Sequence, residues 1–487
     1  MLFNSWEFLI LLGISFVVYY LPVSRGRHGK AWQVTVALAA SVVFYGWERP
    51  ELLALLAVSC VGNSVATARI ILHKVGNDEA RVRHWVRLAV ILNLALLGIF
   101  KYSPFFAGMI PGLPTEWAAA LKSIPLPIGI SFYTFHGISM IVDVARGEVT
   151  RESDAMVSKG SRFTKGVRDI GFYLLFFPQL VAGPIVKAKQ FWPQIAAKRL
   201  EDIQWGLVLR SLIAGFFLKM VVADNLAEQT VTLTKPWIVS ASPLDLILLL
   251  YGYSMQIFAD FAGYSLIAIG LAAMFGYRFP INFDFPYLST SITEFWRRWH
   301  MSLSAWLRDY LYIPLGGNRK GEARTYLNLF LVMFLGGLWH GAEWKFALWG
   351  SLHGLLLGVE RFCFRKRTRE QAALPRPAWR AALGWFYTFH AVTLLWLTFL
   401  MPDLHQIGIF FRELMIPGKL LGPAVFSSLV FGSVAVIYHA FGWWREHRAD
   451  GFDRFRGSWL ESFAYGIMLF LILTNSGAPQ GFIYFQF

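Results

Sequence analysis

Two histidines, each following a tryptophan, mark where this chain can do chemistry: His300 in Trp296-Arg-Arg-Trp-His300 and His340 in Gly336-Gly-Leu-Trp-His340. Imidazole takes and returns a proton near neutral pH, which suits it to general acid–base work. Between Tyr326 and Leu338 the only strongly polar residue is Asn328, so His340 is expected within or at the end of a membrane helix. An ionisable group there is costly and by default functional. Gly336 and Gly337, one turn earlier, permit close backbone approach or leave room for a ligand. The bland alternative is a neutral histidine satisfied by one carbonyl. A third histidine, His353, lies in the next apolar segment, Trp344 to Val359.

Ser291 to Tyr312 reads as one amphipathic helix, stopped by Pro314 and Gly316-Gly317. At about 100° per residue, Trp296, Trp299, Leu303, Trp306, Leu307 and Tyr310 form a stripe, Arg297 and Arg308 share a flank, and His300 lies between them and the edge of the stripe. Such a helix is too charged to cross a bilayer. It is expected at the interface, tryptophans at headgroup depth and arginines toward anionic groups, and a plain membrane-surface anchor would read the same way. Gln256, Asp260 and Tyr264, spaced four apart, share one helix face as a polar seam or a pocket wall. The three core histidines lack a short helical ligand spacing, and no metal site is expected. His73 and Asp78 read as a solvated loop pair.

The elements that must position these groups are membrane helices. The chain has 487 residues, 56% hydrophobic and 17% aromatic, with a mean hydropathy of +0.48, the composition of an all-α polytopic membrane protein. Hydropathy predicts about 11–12 spans plus re-entrant and interfacial pieces; Met1–Leu21, lacking a basic n-region and a cleavage site, reads as the first. Phe176-Phe-Pro178-Gln-Leu-Val-Ala-Gly183-Pro184 is apolar but broken, and is expected to be re-entrant and covered by protein. The net charge of +15 fits cytoplasmic loops beside anionic lipid, not nucleic acid. The basic stretches Arg25–Lys30, Lys74–Arg87, Arg146–Arg168, Arg297–Arg324, Arg361–Arg369 and Arg445–Arg456 face the cytoplasm if the N-terminus faces outward. Cys60 and Cys363, the only cysteines, give no support for a disulfide framework. No G-x-S-x-G, H-E-x-x-H or P-loop motif is present, and no internal repeat suggests an inverted-repeat transporter.

Ile292-Thr-Glu-Phe-Trp-Arg-Arg-Trp-His300-Met-Ser-Leu-Ser-Ala-Trp-Leu-Arg-Asp-Tyr-Leu-Tyr-Ile-Pro-Leu-Gly-Gly-Asn-Arg319 closely resembles the membrane-bound O-acyltransferase (MBOAT) family, in its bacterial polysaccharide branch. Gly336-Gly-Leu-Trp-His340-Gly-Ala is similar to that family's second block. Pro127–Phe135, Phe177–Pro184, Asp260–Ser265 and Phe482–Phe487 match in order along the chain. Leu266 departs from the acidic residue many relatives carry there.

The resemblance implies that His340 is the catalytic histidine, that His300 occupies the second conserved position, and that both line a tunnel between the membrane faces. It implies N-terminal transmembrane helices over 1–120, a catalytic core over 121–365 and C-terminal helices over 366–487. The expected reaction is acyl transfer from a cytoplasmic thioester, most simply acetyl-CoA, for O-acetylation of an extracytoplasmic polysaccharide such as alginate. Arg297, Arg298, Arg308, Arg319 and Lys320 are the expected phosphate contacts of the donor, and Gln256, Asp260, Tyr264 and Trp339 the expected pocket lining. A separate periplasmic acyltransferase of the SGNH-hydrolase type is the implied partner, the bacterial inner membrane the implied location, and no permanently bound cofactor is implied. Three other readings remain open: D-alanyl transfer to teichoic acid, a transporter or flippase with His340 and Asp260 in its path, and a structural scaffold for an envelope complex.

Overall fold

The computed structural model describes residues 1–26, 28–149, 161–180, 183–234, 236–364, 377–417, 422 and 424–483. Parts of the expected basic loops 146–168 and 361–369, together with Arg27, Val181–Ala182 of the broken segment and the last four residues of the terminal motif, lie outside them. The regular structure of the described residues is all helical, with no strand among them. Among the described residues, six helices are long and apolar enough to cross a membrane: Pro50–Val75, Glu79–Ala107, Trp205–Leu233, Pro243–Met274, Ala378–Leu400 and Ala424–His447. The bent pair Ala449–Phe455 and Trp459–Thr474 makes a seventh if it is one span. An all-α, multi-pass membrane protein is thus borne out, with fewer full-length spans than hydropathy suggested. The difference comes from apolar helices that are short, such as Trp6–Tyr19 with 14 residues, or interrupted by polar and small residues, such as Glu322–His340. Phe426 and Ile437 on Ala424–His447 are 74% and 66% exposed, an apolar surface of the kind lipid covers.

The chain forms two compact units, Met1–Leu212 with Ile267–Pro280, and Ile213–Leu266 with Ile281–Phe487. In the first, the helices Leu53–Val75, Glu79–Leu97 and Ile130–Arg146 pack on one another. Their seam is polar: Asn93 Nδ2 donates to Asn63 Oδ1 at 2.9 Å and Asn63 Nδ2 to Asn93 Oδ1 at 3.3 Å. Gly137 gives these amides space, since a Cβ there would lie 2.8 Å from each side-chain oxygen. The described first part of the broken segment forms a single buried turn, Phe177–Leu180, covered by protein as expected. Asp78 caps the helix after it, accepting from Arg81 N–H at 3.0 Å.

The second unit is organised on the buried helix Pro243–Met274, which continues into the first. A Cβ on its Gly263 would lie 2.8 Å from the Gly215 carbonyl oxygen and 2.9 Å from Lys219 N. Glycine there lets the π-helical segment Phe217–Ala223 lie directly on it. Hydrogen bonds that reach one residue further than in an α-helix re-aim the side chains of that segment, a distortion that recurs at functional sites. The helices Glu322–His340 and Trp344–Phe364 meet backbone to backbone. A Cβ on Gly337 or Gly350 would collide with the carbonyl oxygens of Phe346 and Met333 respectively. Gly337 therefore serves close approach, and its neighbour Gly336 lines a cavity.

Candidate active site

His300 lies at a break, not on a continuous helix. Ser291 caps Ile292–Arg298, its hydroxyl accepting from Glu294 N–H at 3.1 Å. Trp299 is then extended, and His300 takes φ 43°, ψ 52° before a second helix, Met301–Leu307. The single amphipathic helix expected from the wheel is corrected to two short ones. A left-handed backbone is costly for histidine, and Asn282 offsets that cost. Its carbonyl accepts from Met301 N–H at 2.9 Å, and its side-chain oxygen accepts from Ser302 N–H at 3.3 Å and the Ser302 hydroxyl at 2.9 Å. The tryptophans also depart from expectation. Trp299 and Trp306 are 1% and 5% exposed, and Trp299 packs on Phe295 at 5.5 Å and Trp396 at 5.0 Å. Protein, not headgroups, surrounds them.

The same amide sets the state of His300. Nδ1 lies 3.1 Å from Asn282 Oδ1. A backbone N–H can only donate, so the atom that Ser302 N faces is the amide oxygen, and His300 Nδ1 must carry the proton. Nε2 of the neutral ring is left with the lone pair. Asn282 is itself anchored, its Nδ2 donating to Ser265 Oγ at 3.0 Å. The imidazole stands edge-on to Phe261 at 4.6 Å and 6.1 Å from the Trp339 ring.

His340 ends the helix Glu322–His340 and is 4% exposed. Its ring lies 5.0 Å from Trp339, 5.2 Å from Trp349 and 5.2 Å from Phe399. Trp339 is thus a neighbour of both His300 and His340. His353 is different: its Nδ1 accepts from Trp296 Nε1 at 3.3 Å and its ring packs on Trp349 at 4.6 Å, so it braces the tryptophans around His340.

Two unlike cavities adjoin this cluster. One, of about 270 Å³, is walled by Leu303, Leu307, Leu329, Val332 and Met333, with Trp296, Gly336, His340, Trp349, Arg308 and Tyr312 also on its surface. The other, of about 380 Å³, is polar, lined by Lys219, Asp224, Thr230, Gln256, Asp260, Lys345 and Gln480, with Phe399 on its wall. Lys219 Nζ lies 2.7 Å from both Asp224 Oδ1 and Asp260 Oδ1, and Ile483 N–H donates to Asp260 Oδ2 at 2.8 Å. Asp260 is therefore both a seam and a pocket wall, and Gln256 accepts from the Thr230 hydroxyl at 2.5 Å. Tyr264 lies beneath Lys219 Nζ, 5.4 Å from ring centre to nitrogen, and against Phe482 at 4.4 Å.

Among the cationic residues singled out in the sequence, Arg297, Arg308, Arg319 and Lys320 are exposed. Arg308 also pairs with Asp309 at 2.8 Å and lines the apolar cavity. Arg298 is committed within the protein, to Glu294 at 2.9 Å and Glu446 at 2.6 Å. Burial alone would raise the Glu294 carboxyl, but hydrogen bonds from Thr290 and the charge of Arg298 outweigh it and hold Glu294 below its ordinary value. Sequence reasoning missed Lys219, Asn282 and Phe399. A lone lysine inside Phe216-Phe-Leu-Lys219-Met-Val-Val was a readable signal, whereas nothing local distinguishes Asn282 or Phe399.

Comparison with known proteins gives a consistent picture. The model of MBOAT, the membrane-bound O-acyltransferase family, matches residues 168–402. The "Probable alginate O-acetylase AlgI" of Pseudomonas putida is 38% identical over 83% of this chain and 78% of its own length. A peptidoglycan O-acetyltransferase of Helicobacter pylori is 33% identical over 83% and 78%. A teichoic acid D-alanyltransferase of Bacillus subtilis is 26% identical over 80% and 95%.

Proposed function

The chain belongs to the membrane-bound O-acyltransferase family and is an O-acyltransferase of the membrane, and from that premise we propose that it moves acetyl groups from cytoplasmic acetyl-CoA toward an extracytoplasmic polysaccharide. The observation that carries this reading is His340 on the wall of an apolar cavity that Arg308 also lines. In that arrangement His340 takes the proton of an acceptor hydroxyl. The hydroxyl oxygen attacks the thioester carbonyl, and the tetrahedral intermediate collapses with loss of thiolate, which takes the proton back from the imidazolium. An apolar, aromatic chamber strengthens these electrostatic interactions and limits hydrolysis of the thioester. Arg308, with Arg297, Arg319 and Lys320, supplies cationic contacts for the donor's phosphates. His300, with its Nε2 lone pair turned out by Asn282, supports the chemistry through the Trp339 side of the cluster. Alginate is the acceptor suggested by the name of the P. putida relative, reached directly or through a periplasmic acyltransferase of the SGNH-hydrolase type, with the chain in the bacterial inner membrane.

The test is purified protein with acetyl-labelled CoA and alginate oligomers, parent against His340→Ala. His340-dependent release of CoA with label on the oligomer is the expected result; release in the variant at the parent's rate overturns it. The B. subtilis relative favours one second reading, D-alanyl transfer. The same assay run with a D-alanyl carrier-protein thioester separates the two donors, and a transporter would use neither.

A further inference from the structure

Phe399 belongs to the wall of one cavity and packs against a residue in the wall of the other. It lines the polar cavity, and its ring lies 5.2 Å from that of His340, which lines the apolar one. Trp349 and Phe346 at 5.0 Å and Trp396 at 5.3 Å hold it in place. Its exposure is 1%.

The chemistry on the two sides is different. A cavity of about 380 Å³ bearing two carboxylates, two ammonium groups and two amides is one that water fills whenever no ligand does. On the other side, a thioester beside His340 is open to any hydroxyl the imidazole can deprotonate. Water would qualify: its oxygen would attack the acyl carbon, the C–S bond would break, the thiol would leave with the proton, and a carboxylic acid would be wasted. We propose that Phe399 is a partition that keeps the water of the Lys219–Asp260 cavity from the acyl donor at His340, and so decides transfer against hydrolysis. A hydroxyl-bearing acceptor enters from the polar cavity, displaces its water and, by its own binding, turns the Phe399 ring aside to reach His340, which free water does not do. Phe399 is then a positioning residue, and this inference rests on the acyl-transfer reading above.

The experiment follows CoA thiol release from acetyl-CoA with no acceptor present, using the full-length protein in detergent. Phe399→Ala raises acceptor-free release at least about tenfold, because the barrier to water is gone. Phe399→Leu, which keeps apolar bulk, stays near the parent, and Phe399→Val lies between them. Should the alanine variant not elute as a monodisperse folded protein, the leucine-to-valine step carries the test. In Phe399→Ala/His340→Ala the extra release disappears, which ties it to this site. Parental hydrolysis in folded Phe399→Ala, or extra release that survives removal of His340, overturns the partition while the parent's transfer stands. A parent with no His340-dependent release or transfer overturns the acyl-transfer reading, and the partition with it.

Discussion

Asn282 Oδ1 lies 3.1 Å from His300 Nδ1, and because the same oxygen accepts from the Ser302 N–H, one amide 18 residues away decides which imidazole nitrogen keeps its lone pair. It also anchors the turn that presents the ring. Asn282→Leu should therefore lose the Nδ1-protonated tautomer in the ¹⁵N-histidine spectrum and lower transfer, whereas Asn282→Asp, which still accepts, should keep the tautomer and most of the rate. An unchanged tautomer in Asn282→Leu would show that the ring is oriented by something else.

His340→Ala should insert, purify and bind donor as the parent does. Its transfer rate should fall by about 10²–10⁴-fold, the usual worth of a general base. Donor binding by the variant, measured apart from turnover, distinguishes lost proton transfer from a collapsed cavity. Transfer at the parent's rate would remove His340 from the mechanism.

Arg308→Ala and Arg297→Ala should raise the KM for acetyl-CoA more than they lower kcat, as expected when ground-state and transition-state contacts are lost together. Arg298→Ala should act differently, since its guanidinium is engaged by Glu294 and Glu446. Its effect should appear as a lower melting temperature with little change in KM, read by thermal unfolding and steady-state kinetics.

Lys219→Met leaves Asp224 and Asp260 buried without their shared cation, and should cost about 3–5 kcal/mol. Adding Asp260→Asn should restore part of that loss, a coupling that a double-mutant cycle in detergent measures directly. Additive losses would mean that the 2.7 Å contact between Lys219 and Asp260 contributes no pairwise energy.

Orientation is testable with one engineered thiol. Gly26 is exposed and has open space for a side chain, its nearest neighbour to an added Cβ being the Val23 oxygen at 3.4 Å. Cys60 is buried and Cys363 exposed, so Cys363 is removed first. Gly26→Cys should then resist a membrane-impermeant reagent in intact cells and react in inverted vesicles. Reaction in intact cells would reverse the topology.

What the sequence made legible follows from the range of the forces involved. His340 could be read because glycines, a tryptophan and an apolar run sit beside it in the chain. Asp260 could be read from its helical spacing with Gln256, but its counter-ion could not, because Lys219 is 41 residues away. The break at His300 was illegible for the same reason: Trp299-His300-Met301 contains neither glycine nor proline, and the left-handed turn is held by Asn282. Tryptophans that periodicity assigned to a lipid interface proved to be core, since a helical wheel reports that a face is apolar and not what covers it.

The contact between Ile483 N–H and Asp260 Oδ2 spans 223 residues, and this has a bearing on biosynthesis. A chain made from its N-terminus exposes Asp260 and Lys219 to the insertion machinery long before Ile483 exists. During that interval the carboxylate must be kept by lysine alone, by water, or by a chaperone of the translocation site. A chain ending ahead of Ile483 would leave Asp260 Oδ2 without that hydrogen bond however well its upstream helices had been inserted.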